Sequence, residues 1–256
     1  MTAPTRQIHC LCWGHERPVV FKTKNTPFRQ CIGGVVTLPY DHIQYIRAKE
    51  RYDFMDKQAI SALADRVMER LFVEMEASGR HVHLTEEQIQ RLFGHGLTPA
   101  KPLSQPGQFA AKERLTLAGP KGELQNVAVL GPARKEGQVE LSLTDARTLG
   151  LTVPVRLSGD VADSPGLTLI GPRGQVELKQ GAIAARRHIH LRPADAARFG
   201  VEDKQVVKLR SFTSRPLVFD DVVVRVSPDF APRVHLDYDE ANACGFAPGD
   251  YGRIIP

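Results

Sequence analysis

The chain has 256 residues and a net charge of +5, enough length for one large or two small domains. It shows no apolar run long enough for a transmembrane helix and no secretory signal. Residues 1–54 hold eight Lys/Arg against four Asp/Glu, so most of the excess charge sits there, and no basic stripe with interleaved aromatics suggests nucleic acid.

Residues 1–54 look foreign to the rest. They contain the only Trp and three of the four cysteines. Cys10, Cys12, His15 and Cys31 can be compared with a zinc site, but the spacing is not a common zinc pattern. The segment reads as a poorly ordered extension, and Met55 is a natural start. Few cysteines outside it fits a reducing compartment. From residue 55 to 74 the chain turns helical. Ile60, Leu63, Ala64, Val67, Met68 and Leu71 form one stripe, which is expected to dock on the protein's own core; the alternative is a partner surface.

A repeated unit then appears four times. It runs His83-Leu84 to Gly94, Glu140-Leu141 to Gly150, His190-Leu191 to Gly200 and His235-Leu236 to Gly245. Each copy reads as strand, cap, about two helical turns and a terminal Gly. Thr85, Ser142 and Asp237 are N-cap formers, and Thr85/Gln88 and Asp237/Glu240 look like capping boxes. Arg192 lacks a capping side chain but precedes Pro193, a good first helical residue. The glycines suit the left-handed position past a helix end. A second repeat matches Leu115–Gly122 with Leu167–Gly174, each a strand entering a Gly-Pro-basic-Gly turn, which signals a hairpin. Val153–Leu157 and Val206–Leu209 read as short strands. The fold class is therefore mainly β with short helices: two similar small β-barrel domains from an internal duplication, plus an N-terminal helix and extension.

The slot before each Leu holds a metal-binding residue. Residues i and i+2 of a strand share a face, so His81 with His83, and His188 with His190, present paired imidazoles. The Leu after each slot faces the core. Five histidines and one carboxylate, His81, His83, His188, His190, His235 and Glu140, thus form a candidate metal set. Imidazole and carboxylate suit zinc best. Six ligands exceed one tetrahedral site with an open position, so two ions are expected. Arg80 and Arg187 precede the paired histidines and should face away from them. Arg134 lies in a Gly-Pro turn returning to the Glu140 slot, where its guanidinium can reach the metal region and recognise phosphate. Cys244, at a helix end, reads as packed rather than nucleophilic.

Arg80–Leu84, Gly131–Arg134, Gln138–Ser142, Arg187–Leu191 and His235–Ala243 resemble the PduL-type phosphotransacylases, the phosphate propanoyltransferases. The resemblance covers residues 55–256 and implies two β-barrels, one discontinuous, with 75–80 and 186–256 in one and 81–185 in the other. It implies two zinc ions between the barrels, and transfer of a short acyl group between coenzyme A and phosphate, giving acyl phosphate. The family's ligand positions fall on His81, His83, Glu140, His188, His190 and His235, and its phosphate-contacting arginine on Arg134. One zinc would take His188, His190 and His235; the other Glu140 with one or both of His81 and His83. The resemblance also implies microcompartment shell or lumen proteins as partners, delivery by an amphipathic helix, and a place in the bacterial cytoplasm or microcompartment lumen. No membrane partner is expected, and a homo-oligomer stays open. Two other readings remain at this stage: a zinc-dependent acyl-CoA thioester hydrolase, and a non-catalytic zinc-stabilised interaction module.

Overall fold

A computed structural model describes residues 57–256. The N-terminal extension and its cysteines lie outside those residues. Helix α1 spans 57–71. Its stripe is exposed at Ile60, Leu63, Val67 and Leu71. No helix among the described residues is long and apolar enough to cross a membrane.

After α1 the order is β1 (Val73–Ala77), β2 (His81–His83), α2 (Glu86–Phe93), β3 (Pro99–Pro102), β4 (Phe109–Ala118), β5 (Glu123–Gly131), β6 (Gln138–Leu141) and α3 (Leu143–Leu149). Then come β7 (Val155–Arg156), β8 (Leu167–Gly171), β9 (Gly174–Leu178), β10 (Ala182–Ala185), β11 (His188–Leu191) and α4 (Pro193–Phe199). The chain closes with β12 (Val206–Phe212), β13 (Val218–Val226), β14 (Arg233–Leu236), α5 (Tyr238–Cys244) and β15 (Tyr251–Ile255). Strands β1 and β11–β15 form a closed barrel, and β2–β10 form a curled nine-stranded sheet. The protein is thus mainly β, with two barrel-like sheets and short helices.

The repeated unit takes the expected shape. Thr85 and Asp237 make capping boxes with Gln88 and Glu240, and Ser142 caps α3 through the Asp145 amide. Arg192 makes no side-chain cap, but Pro193 opens α4. Gly94, Gly150, Gly200 and Gly245 are all left-handed at the helix ends, where any other residue meets Cβ strain. Both Gly-Pro-basic-Gly turns close hairpins, joining β4 to β5 and β8 to β9.

Strand alternation sends one face of each unit inward. The leucines after the four slots, Leu84, Leu141, Leu191 and Leu236, are all buried. Leu84 and Leu141 join Ile89, Leu92 and Leu149 in the core of the curled sheet. Leu191 and Leu236 join Val222, Val224 and Leu209 inside the closed barrel. Each fully buried Leu contributes about 1.5–3 kcal/mol of transfer free energy. That burial fixes the register, since a one-residue slip would exchange the slot side chains with the leucines.

Polar contacts link the two sheets. Gln105 donates Nε2–H to Ala231 O at 3.0 Å and accepts from Ala231 N at 3.2 Å. The Thr144 amide donates to Asp239 Oδ2 at 2.9 Å. Ser104 and Glu76 form a further side-chain pair.

Candidate metal centre

The slot residues come together in two groups. His81, His83 and Glu140 form one, and His188, His190 and His235 the other; within each, the ligand atoms lie within 4.8 Å of one another. Strand pairing is the cause. In β2–β6, His81 stands opposite Glu140; in β11–β14, His188 stands opposite His235. Each group therefore combines an i, i+2 pair on one strand with a cross-strand partner on the next.

The first group is almost wholly buried. His81 donates Nδ1–H to Gly79 O at 2.8 Å, which leaves Nε2 with a lone pair aimed inward. That atom lies 3.2 Å from His83 Nε2 and 3.6 Å from Glu140 Oε2. Two nitrogens held about 2.0–2.1 Å from one tetrahedral zinc stand about 3.3 Å apart. The donors are thus already at chelating distance. In the second group, His188 Nδ1 meets Arg186 O at 2.8 Å, the same backbone clamp two residues upstream. The ring centroids are 4.6 Å apart for His188–His190, 5.0 Å for His188–His235 and 4.8 Å for His190–His235. Buried His83 Nδ1 and His190 Nδ1 have no hydrogen-bond partner among the described residues, while His235 Nε2 faces the Glu76 carboxylate at 3.3 Å. Orphaned ring nitrogens and an imidazole–carboxylate donor set fit a bound divalent ion.

The electrostatics agree with that chemistry. Burial pushes His83 and His190 down to about 2 and His188 to about 4, with neighbouring positive charge adding to the effect. These rings are neutral at pH 7, as metal ligation requires. Burial also lowers His81, but Glu140 outweighs it and the net direction is upward. Burial raises the Glu140 carboxyl, yet His81, His83 and Ser158 together hold it well below the usual range. The groups are near enough that the Glu140 charge acts on both His188 and His190.

Arg134 reaches the same region. Its amide donates to Leu84 O at 2.8 Å, pinning its loop to the end of β2. Its guanidinium donates to Ser158 Oγ at 3.1 Å and feels the charge of Glu140. Arg80 and Arg187 turn away, as the strand alternation requires, to pair with Asp145 and Glu240. Cys244 is fully buried, donates Sγ–H to Ala241 O, and burial pushes its thiol up.

Sequence reasoning missed Gln138. Its Nε2 donates to Glu140 Oε1 at 2.6 Å and to Ser158 Oγ at 2.9 Å, while its Oε1 accepts the Gly159 amide at 2.7 Å. The signal was in the repeat. Position i−2 from each slot is His81, Gln138, His188 or Arg233, so Gln138 occupies the place of a paired histidine. Glu76 was missed too; its Oε2 lies 3.3 Å from His235 Nε2, brought there by β1–β14 pairing that no local pattern announces.

Residues 74–247 match the model of the family described as phosphate propanoyltransferase. The chain is 51% identical over 200 residues to a phosphate propanoyltransferase of Clostridioides difficile, covering 77% of this chain and 96% of that one. It is 51% identical over 207 residues to the Listeria monocytogenes protein of that name, covering 78% and 97%. Against the Enterococcus faecalis protein of that name, identity is 55% over 184 residues, covering 71% and 87%.

Proposed function

This chain belongs to the phosphate propanoyltransferase family and is thus an enzyme of the phosphate acyltransferase type; on that premise we propose that it moves a short acyl group between coenzyme A and inorganic phosphate, with zinc. In this reading His188, His190 and His235 hold one ion, and His81, His83 and Glu140 the other. The domains are 75–80 with 186–256, and 81–185. The observation that carries the reading is the convergence of these six residues in two groups with Arg134 beside them.

When bound, zinc would supply Lewis acidity toward the thioester carbonyl and a favourable partner for a thiolate. The chain's own residues do the rest. Arg134 presents a planar fork of donors that orients phosphate, gaining rate through placement rather than pKa tuning. Ser158, held by Gln138, fixes the guanidinium. A phosphate oxygen attacks the acyl carbon, the C–S bond breaks, and coenzyme A leaves as thiolate. Neutral His83, His188 and His190 and the ionised Glu140 present deprotonated donors at pH 7. The reading uses no covalent acyl-enzyme; among the described residues the one cysteine, Cys244, is sealed in the barrel core. Shell or lumen proteins of a microcompartment are the partners this reading assigns to exposed α1.

The test is thioester formation from acyl phosphate and coenzyme A, with and without chelator. Chelator-sensitive thioester formation is expected. Coenzyme A release from acyl-CoA without any need for phosphate would overturn the reading in favour of a hydrolase.

A further inference from the structure

We infer that Arg225 is a second phosphate-holding residue, gripping the phosphate dianion from the three-histidine side while Arg134 grips it from the Glu140 side. The inference deepens the proposed function and rests on it.

Register places Arg225 at the site. Strand β13 pairs with β11 in parallel, with Arg225 opposite His190 and Val223 opposite His188. Val222 and Val224 fill the barrel core, so Val223 and Arg225 take the other face, which His188 and His190 share. The side chain stays there. Its guanidinium carbon lies 5.7 Å from the centre of the Phe230 ring, and that ring lies 4.2 Å from the His190 ring. Arg225, Phe230 and His190 thus form one short stack along the edge of the histidine group, and the cation–π contact holds the guanidinium in place without neutralising it.

Arg225 is half-buried, and among the described residues it makes no ion pair and no side-chain hydrogen bond. A half-buried guanidinium without a counter-ion is costly. The carboxylates whose charge reaches it are Glu140 and Asp203. Glu140 is committed to His81, His83 and Gln138, and Asp203 accepts the Val226 amide at 2.8 Å. Arg134 is likewise without a carboxylate partner, and the charge of Arg225 acts on it unfavourably. Two guanidinium groups without counter-ions, one from each sheet, are thus near enough for their charges to oppose each other. A doubly charged anion between them removes both defects at once, and inorganic phosphate matches that charge. The phosphates of coenzyme A share this chemistry, but they lie far along that molecule from the reacting sulfur. Arg225, like Arg134, sits beside the donor groups.

The experiment compares Arg225→Ala, Arg225→Lys and Arg210→Ala with the zinc-loaded wild-type protein. Arg210 is exposed on neighbouring β12 and controls for loss of surface charge. Steady-state kinetics would vary phosphate and acyl-CoA separately, with metal content measured on each sample and phosphate affinity measured by calorimetry. Arg225→Ala should raise KM for phosphate about 10-fold or more and weaken phosphate binding in parallel. It should leave KM for acyl-CoA and metal content unchanged, and Arg225→Lys should recover part of the loss. Unchanged phosphate KM and affinity in Arg225→Ala overturns the inference. So does a rise confined to KM for acyl-CoA, loss of metal, or an equal effect from Arg210→Ala. If the wild-type protein itself shows no phosphate-dependent acyl transfer, the proposed function fails instead.

Discussion

His81 and Glu140 face each other across an antiparallel strand pair, as His188 and His235 do in the other sheet. The two groups are therefore the same construction built twice, with one imidazole exchanged for a carboxylate. The exchange gives the first group a negative charge, and burial makes that charge count: Glu140 acts on His81, His83, His188, His190, Arg134 and Arg225.

Because the groups are built from separate strands, each should lose its ion independently. His235→Ala should lower bound zinc from about two ions per chain to about one, and His81→Ala should do the same. Elemental analysis of freshly purified protein checks this. Complete loss in either variant would mean one shared site.

Arg134→Ala should reduce turnover by roughly 10²–10³, the range typical for removal of a preorganised donor. Metal content should not change, because Arg134 donates to Ser158 and touches no member of the donor groups. Arg134→Lys should remain impaired, since a point charge does not replace the guanidinium fork.

Gln138→Leu tests the support of Glu140. The substitution keeps approximate volume and removes the donor at 2.6 Å. Zinc affinity should fall about 10–100-fold, the usual cost of losing such a contact to a ligating group. A competition titration with a chromogenic chelator reads it, and an unchanged constant would assign Gln138 to packing alone.

Stability of the metal-free protein should fall with acid. Burial pushes His83 and His190 to about 2 and His188 to about 4, from an ordinary 6.5. Below pH 6.5 the unfolded chain takes up protons at these rings while the folded protein does not. The stability tied to their neutral forms is complete above about pH 6.5 and is lost as pH falls toward their folded values. His81 has the opposite sign: its raised value contributes below 6.5 and is lost as pH rises through it. Three rings outweigh one, so Tm of the chelated protein should drop between pH 7 and 4. A flat profile would show that burial does not hold these rings neutral.

Gly171→Ala should destabilise the curled sheet by about 1–3 kcal/mol, as overpacking does. A Cβ there would come 2.6 Å from Leu92 O, where the β8–β9 turn meets the end of α2. Thermal unfolding with and without zinc should show the same loss, because the contact lies in packing and not at the donor groups.

Much of this was legible in the sequence because it is local. Helix caps, terminal glycines, hairpin turns and the period-2 split between slot and leucine depend on neighbours a few residues apart, and each appears where the repeat put it. The repeat also marked the six residues that converge in the two groups, since core packing alone would favour apolar residues in those slots. The stripe of α1 was legible as apolar, but amphipathic periodicity does not state what covers such a face. Gln138, Glu76 and Arg225 escaped for a different reason. Glu76 and Arg225 act on neighbours far away in sequence, across strands or through parallel register, and Gln138, though two residues from Glu140, is tied to Ser158 across a loop. The sequence by itself determined which residue types occupy the repeated slots, because strand and helix periods are short-range steric facts. Only the tertiary structure decided how those slots divide into two groups and which charges act on one another, because pairing register and the long-range field of a buried carboxylate exist only once the sheets have closed.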